Sequence, residues 1–289
     1  MSDGLVIVDK PPGWTSHDVV GRVRRLAGTR KVGHAGTLDP MATGVLVLGV
    51  DRATRLLGHL MLTEKEYAAT IRLGASTNTD DAEGEASGGG DATHLGRADV
   101  ESVLPKLRGT IEQVPSTVSA IKVDGKRAYA RARAGEAVEL QARTVHINRL
   151  EIVDARSAPP YLDVDVAVAC SSGTYVRALA RDIGSVLGVG AHLTALRRTR
   201  VGPFGLDTAR TLEGLADDFA VLDIGAAARS AFEVVTLDEE SARMVRHGRP
   251  LHDTRLPGEA PVAMFGPDGA FLALYEQRGE IAKAVAVFG

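Results

Sequence analysis

Residues 33 to 44 read Gly33-His34-Ala35-Gly36-Thr37-Leu38-Asp39-Pro40-Met41-Ala42-Thr43-Gly44 and follow neither a helical nor a strand period. Three glycines and a proline make this an irregular loop, and the apolar run Val45 to Val50 behind it reads as a strand. A loop set on a rigid strand is a common way to present one side chain. Taken alone, Asp39 is an ordinary turn-former before a proline. The loop lacks the Gly-Lys-Ser/Thr ending of a phosphate-cradling loop. No His-x-x-x-His pair accompanies it, which speaks against a metal.

Upstream, Leu5 to Asp9 reads as a short buried strand, broken by Lys10-Pro11-Pro12-Gly13. Ser16 is expected to cap a helix whose apolar positions are Val19, Val20, Val23, Leu26 and Ala27. Downstream, a helix is expected over Ala53 to Met61. Alternation from Lys65 to Leu73 then marks a half-buried strand with Tyr67, Ala69 and Ile71 facing inward. Ser87-Gly88-Gly89-Gly90 reads as a flexible surface loop. Leu162 to Cys170 alternates as a strand, and Thr174 opens a helix with the stripe Val176, Leu179, Ala180, Ile183, Val186 and Leu187. After about residue 232 come a short helix near Ser241 to His247 and two strands joined by Gly266-Pro267-Asp268-Gly269, a hairpin signal. The fold class is α+β, a large mixed-sheet domain followed by a small β-rich module.

The chain's 289 residues suggest about two domains. Lys and Arg number 34 against 37 Asp and Glu, a net charge of -3, so total charge does not point to a polyanion partner. The distribution says more. Residues 76 to 101 are acidic, residues 115 to 149 are basic, and Arg197, Arg198 and Arg200 form a further basic cluster. Solvated faces explain such clusters, and so do the local patches of a selective RNA binder. One cysteine, Cys170, excludes an internal disulfide and any cysteine-clustered metal site. No apolar run approaches the roughly 20 residues of a membrane helix. Leu5 to Val8 is too short for a signal peptide, so a cytoplasmic protein is expected.

Four motifs stand in order along the chain: Asp9-Lys10-Pro11-Pro12-Gly13-Trp14-Thr15-Ser16, the loop from Gly33 to Gly44, Lys65-Glu66-Tyr67, and Gly173-Thr174-Tyr175-Val176-Arg177. Together they resemble the motifs of TruB-type tRNA pseudouridine synthases. Ser119-Ala120-Ile121-Lys122, with Gly125 and Ala128-Tyr129, resembles the family's RNA-gripping thumb, placed at about 115–140. The resemblance implies a pseudouridine synthase catalytic domain over 1–232 and a PUA-like C-terminal RNA-binding domain over 233–289.

It also implies an activity: isomerisation of one uridine (position 55, in the T loop of tRNA) to pseudouridine, with no metal or organic cofactor. Asp39 matches the nucleophile, Arg177 its charge partner, and Tyr67 the ring set against the flipped uracil. An arginine keeps a desolvated carboxylate ionised by lowering its pKa about 1–3 units. Tyr175 and Leu196 would form a second wall, His34 would fill the space left by the flipped base, and Lys10 and Pro11 would support the loop. Lys122, Lys126, Arg127 and Arg131 would hold phosphates, positioning RNA without reading sequence. Ser172 stands where many members carry a basic residue, so one phosphate contact is expected to be weaker. The dyskerin class shares these motifs but works with guide RNA and partner proteins. No extended region precedes Leu5, so a standalone monomer acting on the tRNA T stem-loop, with no obligate protein partner, is expected. A tRNA-folding chaperone with secondary catalysis is the rival reading, and intact Asp39, Tyr67 and Arg177 favour catalysis.

Overall fold

The computed structural model describes residues 3–116, 122–123, 126–127, 140–252, 254–258 and 260–289, with backbone pairing alone for 122–123 and 126–127. The chain divides into two compact units: Met1–Asp39 with Gly44–Thr63 and Val201–Gly289, and Pro40–Thr43 with Glu64–Arg200.

The first unit opens with β1 (Gly4–Lys10), α1 (Ser16–Ala27), β2 (Val32–His34), β3 (Thr43–Val50) and α2 (Leu57–Leu60). β1 runs antiparallel to β3 from Gly4↔Val50 to Lys10↔Gly44, and β2 also pairs with β3. Both strands are buried almost continuously, which is why they read as apolar runs without alternation. Thr15, not Ser16, caps α1. Its hydroxyl accepts from the Asp18 N–H at 3.1 Å while its own N–H donates to Asp18 Oδ2 at 2.9 Å, closing a capping box. The single helix expected over Ala53 to Met61 is instead a 3-10 turn, Asp51–Arg55, followed by the four residues of α2. Asp51 takes a positive φ of 51° and folds the chain back on β3. A Cβ on Gly49 would lie 2.7 Å from the Ala53 carbonyl oxygen.

The second unit contains β4 (Lys65–Leu73), β5 (Ser76–Thr77), β6 (Ala86–Gly88), α3 (Arg97–Val103), β7 (Gly109–Gln113), β8 (Lys122–Val123), β9 (Lys126–Arg127), β10 (Arg143–Ala158), β11 (Tyr161–Cys170), α4 (Val176–Val186) and β12 (Ala191–Val201). Its sheet has the order β12-β4-β11-β10-β7. β4 alternates as expected, with Lys65, Tyr67, Ala69, Ile71 and Leu73 on the buried face. The stretch expected as a flexible loop at Ser87–Gly90 is exposed but ordered. Ser76 pairs with Gly88 across β5 and β6, and the Gly90 N–H donates to the Val189 carbonyl at 2.9 Å. α4 begins two residues later than expected, at Val176, with Tyr175 as its N-cap.

The chain then returns to the first unit through β13 (Phe204–Gly205), α5 (Leu212–Asp217), β14 (Leu222–Asp223), α6 (Ile224–Ala231), β15 (Val234–Thr236), α7 (Glu239–Arg246), β16 (Val262–Phe265), β17 (Phe271–Arg278) and β18 (Ile281–Val287). The C-terminal strands form their own sheet in the order β15-β16-β17-β18, with α7 and Leu237, Val245 and Tyr275 packed on one side. Phe265, Phe271 and Phe288 join the same core as Leu5, Ile7, Val45 and Val47. The C-terminal module thus shares its apolar side with the chain's first strands.

Candidate active site

In the first unit, the loop from Ala35 to Asp39 is held from beneath. The Ala35 N–H donates to the Val47 carbonyl at 2.9 Å, and Ala35 and Leu38 are buried. Ser16, 2% exposed, accepts from the Leu38 N–H at 2.9 Å and donates to the Leu38 carbonyl at 3.1 Å. One hydroxyl thereby fixes both backbone groups of the residue before Asp39. Gly36 (φ 97°) and Gly44 (φ 98°) provide the left-handed bends on either side of Asp39, where an L side chain would be strained. Asp39 itself is half-buried.

Lys10 is fully buried, and its Nζ donates to the carbonyls of Trp14 (2.7 Å) and Pro11 (2.9 Å). Burying an ammonium is costly unless it is hydrogen-bonded, so Lys10 stabilises the β1–α1 turn through the Pro11 carbonyl. His34 lies on β2 opposite Leu48, edge-on to the ring of His17 at 5.9 Å.

In the second unit, Tyr67 is 9% exposed on β4, and Leu196 is buried on β12. Arg177 is the second residue of α4 and its side chain is 5% exposed. Its Nη1 donates to Asp81 Oδ2 and to the Thr79 carbonyl, each at 3.0 Å. Asp81 is 3% exposed. Breaking a buried pair of this kind by removing one partner costs about 3–5 kcal/mol. The Thr79–Asp81 loop is itself tied to β12, since the Leu193 N–H donates to the Asp80 carbonyl at 3.0 Å. Gly184, in the last turn of α4, leaves no room for a Cβ, which would lie 2.3 Å from the Ala191 nitrogen. The helix carrying Arg177 is therefore seated hard against the start of β12.

Two buried groups near Tyr67 have displaced pKa values. Burial pushes the Lys65 ammonium down to about 8, with the nearby Arg198 charge acting in the same direction. Burial raises the Cys170 thiol to about 11, opposed by a hydrogen bond with Thr174 and by the charge of Lys65. Lys65 and Cys170 face each other in the β4–β11 register.

The basic cluster at Arg197, Arg198 and Arg200 is not one solvated face. Arg198 is 1% exposed, Arg197 donates to Thr43 Oγ1 at 3.2 Å, and Arg200 pairs with Glu66. Strand alternation separates what sequence adjacency grouped. Within the second unit, Arg197 thereby fastens the end of the short segment Pro40–Thr43. In the acidic stretch 76 to 101, Asp80 and Asp81 are likewise buried. Of the expected thumb, Lys122 pairs with Arg127 and Val123 with Lys126 across β8 and β9. Arg131 and the rest of 128–139 lie outside the described residues. Sequence reasoning missed Asp81, Gln113 and the part Ser16 plays in fixing Leu38. An adjacent acidic pair was the only signal for Asp81. Gln113 and Ser16 had none, because their partners are backbone groups distant in sequence.

Three family models tile most of the chain: the N-terminal domain of the TruB family of pseudouridylate synthases over residues 24–176, the tRNA pseudouridylate synthase B C-terminal domain over 177–242, and the tRNA pseudouridine synthase II C-terminal region over 232–289. The chain belongs to the TruB family of pseudouridine synthases. Relatives named tRNA pseudouridine synthase B support this along the full length of the TruB chain. That of Streptomyces griseus is 58% identical over 99% of this chain and 97% of its own, and that of Thermobifida fusca is 57% identical over 100% and 99%. Among solved structures, a chain of an H/ACA RNP bound to a substrate RNA containing 2'-deoxyuridine matches with a TM-score of 0.75 at 26% identity, covering 99% of this chain and 85% of that one. A Cbf5-Nop10-Gar1 complex matches with a TM-score of 0.72 at 26% identity, covering 99% and 83%. Among the described residues of this TruB member, no cluster of three or more His, Cys, Asp or Glu could hold a metal, and no helix is long and apolar enough to cross a membrane.

Proposed function

We propose that this TruB-family chain isomerises a uridine in the T loop of tRNA, at position 55, to pseudouridine, acting without a guide RNA. The observation that carries this reading is the 57–58% identity, over almost the whole length, to proteins named tRNA pseudouridine synthase B. The matching chains of the H/ACA RNP and of the Cbf5-Nop10-Gar1 complex are far more distant, at 26%.

The reaction breaks the glycosidic N–C bond, turns the uracil over and joins it again through carbon, so substrate and product have the same atoms. Asp39 serves as nucleophile, splitting one difficult step into easier ones. Its loop is well suited to that task, because Ser16 fixes the backbone immediately before it. Arg177 is the charge partner of that carboxylate. A guanidinium has five N–H donors in a planar fork, and Asp81 and the Thr79 carbonyl engage those of Nη1. Asp81 thereby sets the orientation of the fork. Tyr67 stacks on the flipped base. Stacking of a base on an aromatic ring is worth about 1–3 kcal/mol, against a few kcal/mol for extruding it, so one ring offsets much of the flipping cost. Tyr175 and Leu196 form the opposing wall, His34 fills the gap left in the T loop, and Lys10 and Pro11 support the base of the site. Lys122, Lys126, Arg127 and Arg131 hold RNA phosphates, and residues 233–289 form a PUA-like RNA-binding domain. We assign the enzyme to the cytoplasm, as a monomer.

The test is to incubate the purified protein, without added metal or cofactor, with an unmodified T-arm hairpin and to map pseudouridine chemically. One modified uridine at the position corresponding to 55 supports the reading. Unmodified RNA after prolonged incubation at high enzyme concentration contradicts it.

A further inference from the structure

Gln113, the last residue of β7, is 2% exposed, and its side chain leaves its own strand to grip the start of α4. Its Oε1 accepts from the Tyr175 N–H at 2.8 Å, and its Nε2 donates to the Tyr175 carbonyl at 3.1 Å. These two bonds define the amide orientation, because only the oxygen can accept and only the nitrogen can donate. The Tyr175 carbonyl also accepts the first bond of α4, from the Leu179 N–H at 3.2 Å. Tyr175 is the N-cap of α4 but makes no capping bond with its own side chain. The N-terminal turn that carries Arg177 is thus held by a side chain 62 residues earlier in the sequence.

The residues following Gln113 are fastened to the same elements. Arg181, on α4, donates from Nη2 to the Val114 carbonyl at 2.8 Å and from Nη1 to Asp80 Oδ2 at 3.3 Å. The fully buried Ser116 donates to that same Asp80 oxygen at 2.7 Å. Asp80, with its positive φ of 61°, is the neighbour of Asp81, which holds Arg177. Residues 113–116 therefore bind the two segments that fix Arg177 in space, the start of α4 through Gln113 and the Thr79–Asp81 loop through Ser116.

We propose that Gln113 is a positioning residue for the reaction, bracing Tyr175 and Arg177, with Ser116, Asp80 and Arg181 holding the same brace. Gln113 does not touch the reacting atoms. It sets the angle at which α4 presents its guanidinium, and a misplacement of about 1 Å in such a group can cost a factor of about 100 in rate. The inference rests on the activity proposed above, and its test has one limb that does not.

The variant is Gln113→Met, which keeps side-chain length but removes both polar partners. Amide hydrogen exchange is read in the free full-length protein, and single-turnover rate and affinity are read on the unmodified T-arm hairpin, corrected for folded fraction. Exchange at the Tyr175 amide should accelerate about tenfold or more. The single-turnover rate should fall about tenfold or more while hairpin affinity stays within about twofold. Gln113→Glu, which keeps the acceptor for the Tyr175 N–H but sets a carboxylate against the Tyr175 carbonyl, should fall between the two, and it serves as the probe if the Met variant does not fold. An unchanged rate per folded molecule, or a loss of affinity with the rate preserved, overturns the proposal. If the wild type itself makes no pseudouridine, the activity reading fails separately, and an unchanged Tyr175 exchange rate in the variant then overturns the brace.

Discussion

Lys65 shares the buried face of β4 with Tyr67 and carries a charge that burial and Arg198 both disfavour. Unfolded, a lysine keeps its proton to about pH 10.4; folded, Lys65 releases it near pH 8. Between those values the unfolded state binds more protons, so this residue makes stability rise with pH across that window. Its destabilising cost is fully present below pH 8. Cys170 acts in the opposite direction, because its raised thiol pKa loses stability from about pH 9 to 11. In a Cys170→Ala background, urea unfolding should therefore show stability rising from pH 8 to 10.5, by on the order of 3 kcal/mol in total, and Lys65→Met should abolish that rise. An identical slope in both proteins would remove Lys65 as its source. At this scale the sequence was only partly legible. Alternation placed Tyr67 inside, but the same alternation also buries Lys65, against the usual tendency of lysine to stay exposed. The roles expected of Asp39 and Arg177 came from their motifs, whereas Asp81, an ion partner of Arg177, lay hidden in a run of acids that looked solvated.

Among elements, β4 was read to the residue because nine residues keep a strict period of two. β10, sixteen residues long, was missed. Its buried residues are Val145 and Ile147, then Leu150 and Ile152, and a bulge between Ile147 and Arg149 breaks the phase. A bulge inserts one residue and so turns alternation into apparent irregularity. β12 was missed because its arginines resembled a surface patch. The Asp39 loop has no period between Ala35 and Ala42, as expected, although Gly33 and His34 belong to β2 and Thr43 and Gly44 to β3. Its fastening was invisible, since Ser16 reaches across 22 residues to a backbone amide. Ser16→Ala leaves the buried Leu38 N–H without that acceptor. An unsatisfied buried donor costs about 1–3 kcal/mol, and the loop carrying Asp39 loses its support. The expected outcome is a stability loss of that size in denaturant titration with kcat falling more than KM changes. Unchanged stability and kcat would show that the loop does not depend on this hydroxyl.

For the whole molecule, a net charge of -3 means that affinity for RNA must come from local placement of cations. Phosphate contacts release counterions, giving a slope of log affinity on log salt near -0.7 per contact for single strands and -0.9 for duplex DNA. Replacing Lys122 and Arg127 together by alanine should weaken hairpin binding and flatten that slope by about 1 to 2, with the single-turnover rate at saturation unchanged. A slope equal to wild type would remove both residues from the RNA surface. The C-terminal module shows where whole-chain organisation exceeded what sequence could give. Two of its four strands, β16 and β17, were legible from the Gly266–Gly269 hairpin, whereas β15 and β18 were missed. β17 is buried on successive residues from Phe271 to Tyr275 because it serves two cores at once. The central claim concerns Asp39, and the most direct measurement compares wild type with Asp39→Asn on the unmodified T-arm hairpin, reading hairpin affinity and pseudouridine formed in a single turnover. Asn keeps the shape and removes the negative charge, so the account predicts wild-type affinity with no detectable pseudouridine. Appreciable pseudouridine from the variant, with deamidation back to aspartate excluded by mass spectrometry, would contradict it.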